Sequence, residues 1–323
     1  MNLKHHPSLV CGILVVIVVG LSLLLGSESI SLSELLSNDT MSSRIVFELR
    51  LPRVILAFLV GGGLALVGLC YQILFQNPLA EPYLLGVSSA SLLGIAVAEI
   101  FLGLSAVSSV TILFGVGGAL IISSLFVVIC FIRWGSSLER VALFGLGVNF
   151  VLSSVILLLL SYHQQSTGGA SLKYLFGQIP WVSHQEVIPF ATFTLALLIG
   201  IWAFGRRLDA LSLGDSVART LGVNVLSTRI LLILITSLFL AVVTAFTGSI
   251  GFVGLVAPHV VRIWTKPKNI RSGLQRCFFL GGTFVLFSDL ISRILYPPLE
   301  FPIGVFTTIL GGPLFLILLW RQK

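Results

Sequence analysis

Three long stretches of the chain contain no Asp, Glu, Lys or Arg, and they constrain its fold more than any other feature. They cover residues 100–132, 141–172 and 230–261. Each is longer than the roughly 20 residues that one membrane crossing takes, so each fits two crossings or one crossing with a flank. Since lipid offers the backbone no hydrogen-bond partner, such runs must be helical. A transmembrane β-barrel would alternate apolar and polar residues, and these stretches do not.

The composition indicates an integral membrane protein. Hydrophobic residues make up 56% of the 323 residues and charged residues only 10%, whereas a soluble domain carries about 25% charge. With a mean hydropathy of +1.08, the chain has too little polar surface to cover a water-soluble fold. We therefore predict an all-α membrane protein in which residues 1–323 form a single transmembrane domain.

The apolar pattern predicts ten transmembrane helices. The predicted segments are 9–26, 54–75, 84–102, 109–132, 141–161, 187–205, 229–247, 251–264, 277–295 and 304–320. The seventh and eighth are divided at the sequence Thr-Gly-Ser-Ile-Gly of residues 247–251. An even number of crossings places both termini on one side, and with cytoplasmic termini 14 of the 19 Lys and Arg residues lie inside. Because basic residues accumulate on the cytoplasmic side of membrane proteins, we predict cytoplasmic termini.

Missing motifs also narrow the function. No GxxxxGK[ST] motif is present, so ATP and Mg²⁺ would be used by a partner, and we expect no cofactor on this chain. No HExxH motif, CxxC pair or Ser/His/Asp arrangement predicts an enzyme or a metal site. Acidic residues within the apolar segments are few, which disfavours an ion-coupled carrier. The net charge of +7 fits anchoring to anionic membrane lipid rather than binding of nucleic acid.

Residues 205–229 form the most informative of the predicted cytoplasmic stretches. Its apolar residues recur at amphipathic helical spacing, namely Leu211, Leu213, Val217, Ala218 and Leu221. Gly214 and Gly222 divide the stretch into two short helices or cap them. Such an element lies on lipid or inserts into the groove of a protein partner. The carboxylates of Asp209 and Asp215 favour the protein partner over anionic lipid.

Three sequence blocks, taken together, carry a family resemblance. They are RLPR (50–53) with GGGLALVG (61–68) and QNPLAEPYLLGVSS (76–89), then GSIGFVGLVAPHVVR (248–262), then DLISR (289–293) with LEFPIGV (299–305). From about residue 45 to its end the chain resembles the FecCD-type permeases. These are the membrane subunits of type II ABC importers for ferric siderophores, haem and cobalamin.

The resemblance implies an assembly and a location. Two copies of the chain would form a homodimeric channel of twenty helices in the bacterial inner membrane. Two ATP-binding subunits would attach to its cytoplasmic face, and a separate substrate-binding protein would deliver the substrate outside. The substrate would be an iron complex, either a siderophore or haem, with cobalamin as the alternative. The permease itself would carry out no covalent chemistry.

The resemblance also implies a role for three arginines at the outer face. Arg50, Arg53 and Arg293 match the family positions that receive acidic residues of the binding protein. Exposed charge complementarity of this kind sets orientation and association rate more than affinity. The alternative is structural. Arg50 and Arg53 would then be interfacial anchors beside a helix start, and Arg293 would pair with Asp289 one turn earlier.

The remaining positions that match the family lie in the predicted cytoplasmic elements and inside the membrane. The residues implied to couple the permease to the ATPase, within helices at about 207–223, are Leu211, Gly214, Asp215, Ala218, Leu221 and Gly222. The residues implied to form the cytoplasmic gate are Asn77, Pro78, Leu79, Ser136, Ser137 and Leu138. Asn149 faces either the channel or a neighbouring helix, while the glycines of residues 61–63 are expected to serve helix packing.

Overall fold

The computed structural model describes residues 7–26, 28, 30–31, 34, 40–104, 108–133, 138–167, 176–265, 267 and 269–320. Within these residues the regular secondary structure is entirely helical, which agrees with the predicted all-α class. The helices are α1 (Pro7–Leu24), α2 (Thr40–Arg44), α3 (Leu51–Leu74), α4 (Val87–Leu102), α5 (Ser109–Arg133), α6 (Leu138–Thr167), α7 (His184–Ala203), α8 (Gly205–Ser212), α9 (Asp215–Thr220), α10 (Val225–Thr247), α11 (Val253–Thr265), α12 (Ile270–Ile294) and α13 (Ile303–Trp320).

Each of the ten predicted segments coincides with one of these helices. Six helical stretches are long and apolar enough to cross a membrane, namely Met41–Leu74, Val110–Val128, Arg140–Tyr162, His184–Ala203, Val225–Thr247 and Ile270–Ile294. Four further apolar helices are shorter, at Val10–Leu24, Val87–Leu102, Val253–Thr265 and Ile303–Ile317. The exact number of crossings and the side of the termini therefore stay predictions.

Residues 27–53 lie between the first two predicted transmembrane segments and were expected to form a loop. The second half of this stretch is helical in the structure. Helix α2 begins at Thr40, and a π-helical stretch, Ile45–Arg50, leads from it into α3. The helical span that contains the second predicted segment thus starts at Met41, well before the predicted start at residue 54. Two of the charged residues of this extension, Arg44 and Glu48, form an exposed pair at i and i+4 with 3.6 Å between Nε and Oε1. Such a pair supports a helix in water, and the apolar pattern alone could not reveal it.

The predicted break between α10 and α11 is confirmed. Gly248 ends α10 with φ +69°, a backbone angle that favours glycine. The Tyr83 hydroxyl accepts a hydrogen bond from the Ile250 N–H at 2.7 Å and lies 2.8 Å from the Ile250 carbonyl, to which it donates. Burial raises the pKa of the Tyr83 phenol above its ordinary value, so the hydroxyl keeps its proton at physiological pH. One side chain thereby satisfies both backbone groups of a residue that no helix serves.

The described chain forms two compact units. The first comprises residues 1–66, 179–202 and 252–323. Its central helix, α12, packs against α1, α11 and α13. At the crossing of α12 and α3, a Cβ atom added to Gly61 would lie 2.3 Å from the Gly281 carbonyl oxygen. Only glycine permits two backbones to approach so closely, which confirms the packing role expected for this glycine cluster.

The second unit comprises residues 67–178 and 203–251. Helix α4 packs against α5, α6 and α10 around a core that includes Leu92, Ile95 and Ile156. Several hydroxyl groups on these helices find partners inside the unit. The Thr244 hydroxyl, for example, donates to Ser88 Oγ at 3.0 Å. The unit therefore combines apolar packing with satisfied polar groups, as membrane helices require.

Enlarging one glycine of the close crossing should destabilise the first unit. In Gly281→Ala, the new Cβ would lie 2.4 Å from the Ala65 Cβ and 2.5 Å from the Gly61 carbonyl oxygen. Since the helices must shift apart, we expect a loss of about 1–3 kcal/mol, measured as a lower melting temperature in detergent. Gly200→Ala is the control, because a Cβ there meets nothing within 4 Å. Equal melting temperatures for the two variants would contradict this packing.

Candidate partner-binding sites

The three arginines expected at an exposed docking face are buried within the chain. The exposed fractions are 4% for Arg50, 0% for Arg53 and 2% for Arg293. The expected exposure is therefore wrong, because each guanidinium already has partners inside the first unit. Their role in docking a partner stays a prediction, and it has to be reconciled with these contacts.

Arg50 caps the carboxyl end of α1. Its Nη1 donates to the carbonyl oxygens of Leu23 and Leu24, each at 2.9 Å, and its Nη2 donates to the Glu28 carbonyl at 2.5 Å. The last carbonyls of a helix lack partners within the helix and carry partial negative charge. A guanidinium satisfies them and complements that charge, so Arg50 fixes the end of α1 rather than reaching into the interface as an anchor.

Arg53 binds two carboxylates with two different edges of its guanidinium. Its Nε and Nη2 donate to Asp289 Oδ1 at 3.1 and 2.8 Å. Its Nη1 and Nη2 donate to Glu300 Oε1 and Oε2 at 3.0 and 2.9 Å, which is a bidentate pair. The guanidinium carbon also lies 4.2 Å from the centre of the Trp181 ring. Arg53 is thus enclosed by an inner acid, an outer acid and an aromatic face.

Arg293 completes this group, which we call the arginine cluster (Arg50, Arg53, Asp289, Arg293 and Glu300). Its Nε lies 3.0 Å from Asp289 Oδ2, one helical turn earlier in α12. Asp289 therefore bridges the two guanidiniums with its two oxygens, and the alternative predicted for Arg293 is confirmed. Arg293 also donates to the carbonyl and the hydroxyl of Ser22 in α1. The cluster consequently joins α1, α3 and α12.

The stretch at 205–229 contains the two short helices that its glycines predicted. Helix α8 ends at Ser212, and Gly214, with φ +106°, separates it from α9. Gly222, with φ +78°, follows the end of α9 and leads the chain toward α10. Nothing lies within 4 Å of a Cβ added to either glycine, so backbone conformation rather than space accounts for glycine here.

Only part of the predicted coupling set faces outward. Leu211 and Ala218 are buried within the second unit, and their role in coupling to an ATPase stays a prediction. Their side chains hold α8 and α9 against the chain. Leu221 is exposed, and so are Leu213, Val217 and Leu226, of which the first two lay in the predicted amphipathic pattern and the last was missed.

Leu226 lines a shallow groove of the second unit, and Leu221 directly precedes Gly222, which also lines it. The residues that line this groove are Arg219, Gly222, Val223, Asn224, Val225 and Leu226. We call Leu213, Val217, Leu221 and Leu226 together with this groove the leucine surface. It combines apolar side chains with one arginine and open backbone, which are the properties of a surface that binds another protein.

Asp215, the remaining residue of the predicted coupling set, anchors the leucine surface. Its two oxygens accept hydrogen bonds from Arg229 Nη1 and Nη2 at 2.8 and 2.7 Å. Arg229, at the start of α10, is buried. Asp215 Oδ1 also accepts from Gln76 Nε2 at 3.1 Å. Arg229 and Gln76 were missed, since no local pattern links residues 14 and 139 positions away from Asp215.

Gln76 ties this anchor to the predicted gate. Asn77, Pro78 and Leu79 follow it in an exposed turn, in which Asn77 Oδ1 accepts from the Leu79 N–H at 2.9 Å. Gln76 has φ +49°, an uncommon conformation for a residue with a long side chain. The structure therefore brings the first gate segment and the coupling helices together.

The other gate and channel residues are only partly covered by the structure. Ser136 and Ser137 lie outside the described residues, while Leu138 is the first residue of α6. Asn149, further along α6, is half-buried, and its Oδ1 accepts a hydrogen bond from Ser89. Ser153 Oγ lies 3.3 Å from Ser89 Oγ. Asn149 thus belongs to a small polar group between α4 and α6, and its role in a channel stays a prediction.

Comparison with known proteins decides the family. The model of the FecCD transport family matches residues 14–321. The chain belongs to the FecCD transport family. The predicted family is therefore confirmed over nearly the whole sequence, the N-terminal helix included.

Named relatives share the full length of this FecCD-family chain. It is 33% identical to the probable iron chelatin transport system permease protein of Helicobacter pylori, over 99% of this chain and 98% of that protein. It is 34% identical to the hemin transport system permease protein HmuU of Yersinia pestis, over 100% of this chain and 98% of that protein. It is 34% identical to the vitamin B12 import system permease protein BtuC of Salmonella paratyphi A, over 96% of this chain and 93% of that protein.

A solved structure gives the same result for the fold. A chain described as an inward-facing conformation of a putative metal-chelate type ABC transporter matches with a TM-score of 0.84 and 32% identity, covering 96% of this chain and 97% of that chain. From these relatives and the apolar spans, we conclude that the FecCD-family chain is a multi-pass ABC-transporter permease of the bacterial inner membrane.

Removing the anchor of the leucine surface should destabilise the protein. Asp215→Ala leaves the guanidinium of Arg229 buried without its acid, and we expect a loss of about 3 kcal/mol, at the lower end for buried pairs because Asp215 is partly exposed. The measurement is thermal unfolding in detergent. Glu48→Ala is the matched control, since it breaks an exposed Arg–Glu pair that contributes little. A comparable change in both variants would contradict the anchoring role.

Proposed function

We propose that this chain is the membrane-spanning subunit of an ABC importer and carries a metal chelate into the cytoplasm. The observation that supports the proposal most directly is the leucine surface. Its side chains are exposed on and beside the short helices α8 and α9, and the pair of buried Arg229 with partly exposed Asp215 holds α9 to the start of α10. Apolar groups presented so rigidly suit a protein partner better than water. In this family that partner is the ATP-binding subunit.

Iron complexes are the proposed substrates. The relatives named above are permeases for iron chelate, hemin and vitamin B12. Among these we favour an iron–siderophore complex or haem, and cobalamin is the alternative within the same family. The half-buried amide of Asn149 beside Ser89 and Ser153 supports its proposed place along the channel, because such groups can contact a polar chelate in an otherwise apolar wall.

The proposed assembly contains two copies of this chain, two ATP-binding subunits and a substrate-binding protein. ATP and Mg²⁺ would be held by the ATP-binding subunits. The leucine surface would receive those subunits, and the arginine cluster would receive carboxylates of the binding protein outside the membrane. Membrane lipid would surround the remaining apolar helices.

The hydrogen bond from Gln76 to Asp215 supports a route from ATP to the gate. Closure of the ATP-binding subunits would move α8 and α9, which carry the leucine surface. Asp215 would pass this movement through its hydrogen bond to Gln76, and Gln76 would pass it to the adjoining turn of Asn77, Pro78 and Leu79. The transporter would thereby exchange an outward-open for an inward-open state, because the partner binds the two states differently.

Reconstitution tests the proposal directly. The permease is placed in liposomes with and without its ATP-binding subunits, with the binding protein and a radiolabelled ferric chelate outside and ATP inside. We expect uptake only when the ATP-binding subunits and ATP are both present, because the chain has no nucleotide site in its sequence. Uptake driven by a proton or sodium gradient without those subunits would overturn the proposal in favour of a secondary carrier. Uptake of labelled cobalamin instead of iron would select the alternative substrate.

A second test addresses the leucine surface. Leu221→Ala removes most of an apolar side chain from the proposed interface, which is worth about 2 kcal/mol. We therefore expect the ATP-binding subunit to bind the variant permease in nanodiscs roughly 30-fold more weakly than the wild type. The control is Leu195→Ala, the same change at a residue of similar exposure, 56% against 62%, on helix α7. If both variants bind the ATP-binding subunit like the wild type, the leucine surface is not the interface.

A further inference from the structure

The two carboxylates on Arg53 differ in a way that suggests different tasks. The Asp289 side chain is 0% exposed, whereas 19% of the Glu300 side chain is exposed. Asp289 lies inside α12 and binds a second arginine as well. Glu300 lies on the non-helical segment between α12 and α13. One acid is therefore fixed in the core, and the other sits at the edge of the cluster on a connecting segment.

The residues around Glu300 in the chain are exposed. Its neighbours Leu299 and Phe301 are exposed, and so are the residues 295–298 before them. Trp181, which covers Arg53, is likewise exposed over half of its surface. Among the described residues that contact Arg53, Glu300 and Trp181 are therefore partly exposed, whereas Asp289 is buried.

We propose that Glu300 occupies the place of a carboxylate from the docking partner and is exchanged for it when the partner binds. This inference rests on the proposed docking of a substrate-binding protein at the arginine cluster. It identifies the chemistry of the contact as a single carboxylate that takes over the bidentate pair with Nη1 and Nη2 of Arg53. It also reconciles docking with the burial of Arg53.

Replacing the Glu300 carboxylate with another carboxylate avoids leaving the buried guanidinium of Arg53 without its outer partner. Taking a carboxylate away from a buried guanidinium is strongly unfavourable unless another anion replaces it. During the exchange Asp289 keeps its bonds to Nε and Nη2 of Arg53, and the incoming carboxylate restores the outer pair. Glu300 gains hydration on its exposed segment. The permease without its partner therefore holds Arg53 satisfied and closed to stray anions.

An internal competitor lowers the apparent affinity of the partner. If Glu300 occupies Arg53 in most molecules, the partner binds only the remaining fraction, and its dissociation constant rises in proportion. Glu300→Gln keeps the shape of the side chain but weakens its hold on the guanidinium. We therefore expect this variant to bind the substrate-binding protein about tenfold more tightly than the wild type.

The experiment measures the dissociation constant between the permease in nanodiscs and the substrate-binding protein of the same importer. Glu48→Gln is the matched control, because it removes an exposed acid of the same unit that does not contact Arg53. Tighter binding of Glu300→Gln alone is the expected result. An unchanged or weaker affinity of Glu300→Gln overturns the exchange, and so does an equal gain in Glu48→Gln, which would indicate long-range charge only.

Glu300→Asp separates contact from charge. Aspartate keeps the negative charge but is one methylene too short to maintain both bonds to Arg53. Under exchange, Glu300→Asp should also bind the partner more tightly than the wild type, whereas a wild-type affinity would show that charge alone matters and would overturn the inference. A wild-type permease that binds no substrate-binding protein refutes the docking proposal itself. Wild-type binding with no effect at Glu300 refutes only the exchange.

Discussion

Inside a membrane the peptide backbone has to find every hydrogen-bond partner within the protein, and this constraint determines where the chain uses its few polar side chains. The carboxyl end of α1 is the clearest case. Its final carbonyls accept hydrogen bonds from Arg50, 26 and 27 residues away in sequence, and from Arg293, 271 residues away. At the break after α10, Tyr83 does the same for Ile250. Arg50 and Arg293, which look like free charges in the sequence, therefore bind backbone carbonyls.

The helices were predictable because a crossing leaves a signal in local composition. Uncharged apolar runs fixed the ten helical segments, and Gly248 marked the break after α10 because glycine accepts a backbone angle that other residues avoid. The arginine cluster left no such signal. Arg53 and Asp289 are 236 residues apart, and no period or motif within a window states that two distant charges meet. The exposure of these arginines was inferred from the family resemblance, and the structure shows them buried against partners that lie far away in sequence.

The coupling stretch shows a second limit of sequence patterns. Amphipathic spacing groups residues on one face of a helix, but it does not say whether that face meets the chain itself or a partner. Leu211 and Ala218 face the chain's own core, while Leu213 and Leu221 are exposed. Apolar residues of the same stretch thus pack these helices against the chain and also form their exposed surface. Asp215 could be placed in the correct element, but its partner Arg229 had to be found in three dimensions.

The two sites share one design, in which a buried arginine holds an acid that lies nearer the surface. In the second unit Arg229 holds Asp215, and in the first unit Arg53 holds Glu300, the acids being 24% and 19% exposed. Among the described residues Arg229 pairs with this one acid, so loss of the acid leaves its charge without that partner. Arg53 keeps Asp289 on its other edge, so its outer acid can leave when another anion arrives. The number of acids on each arginine therefore separates a fixed anchor from an exchangeable contact.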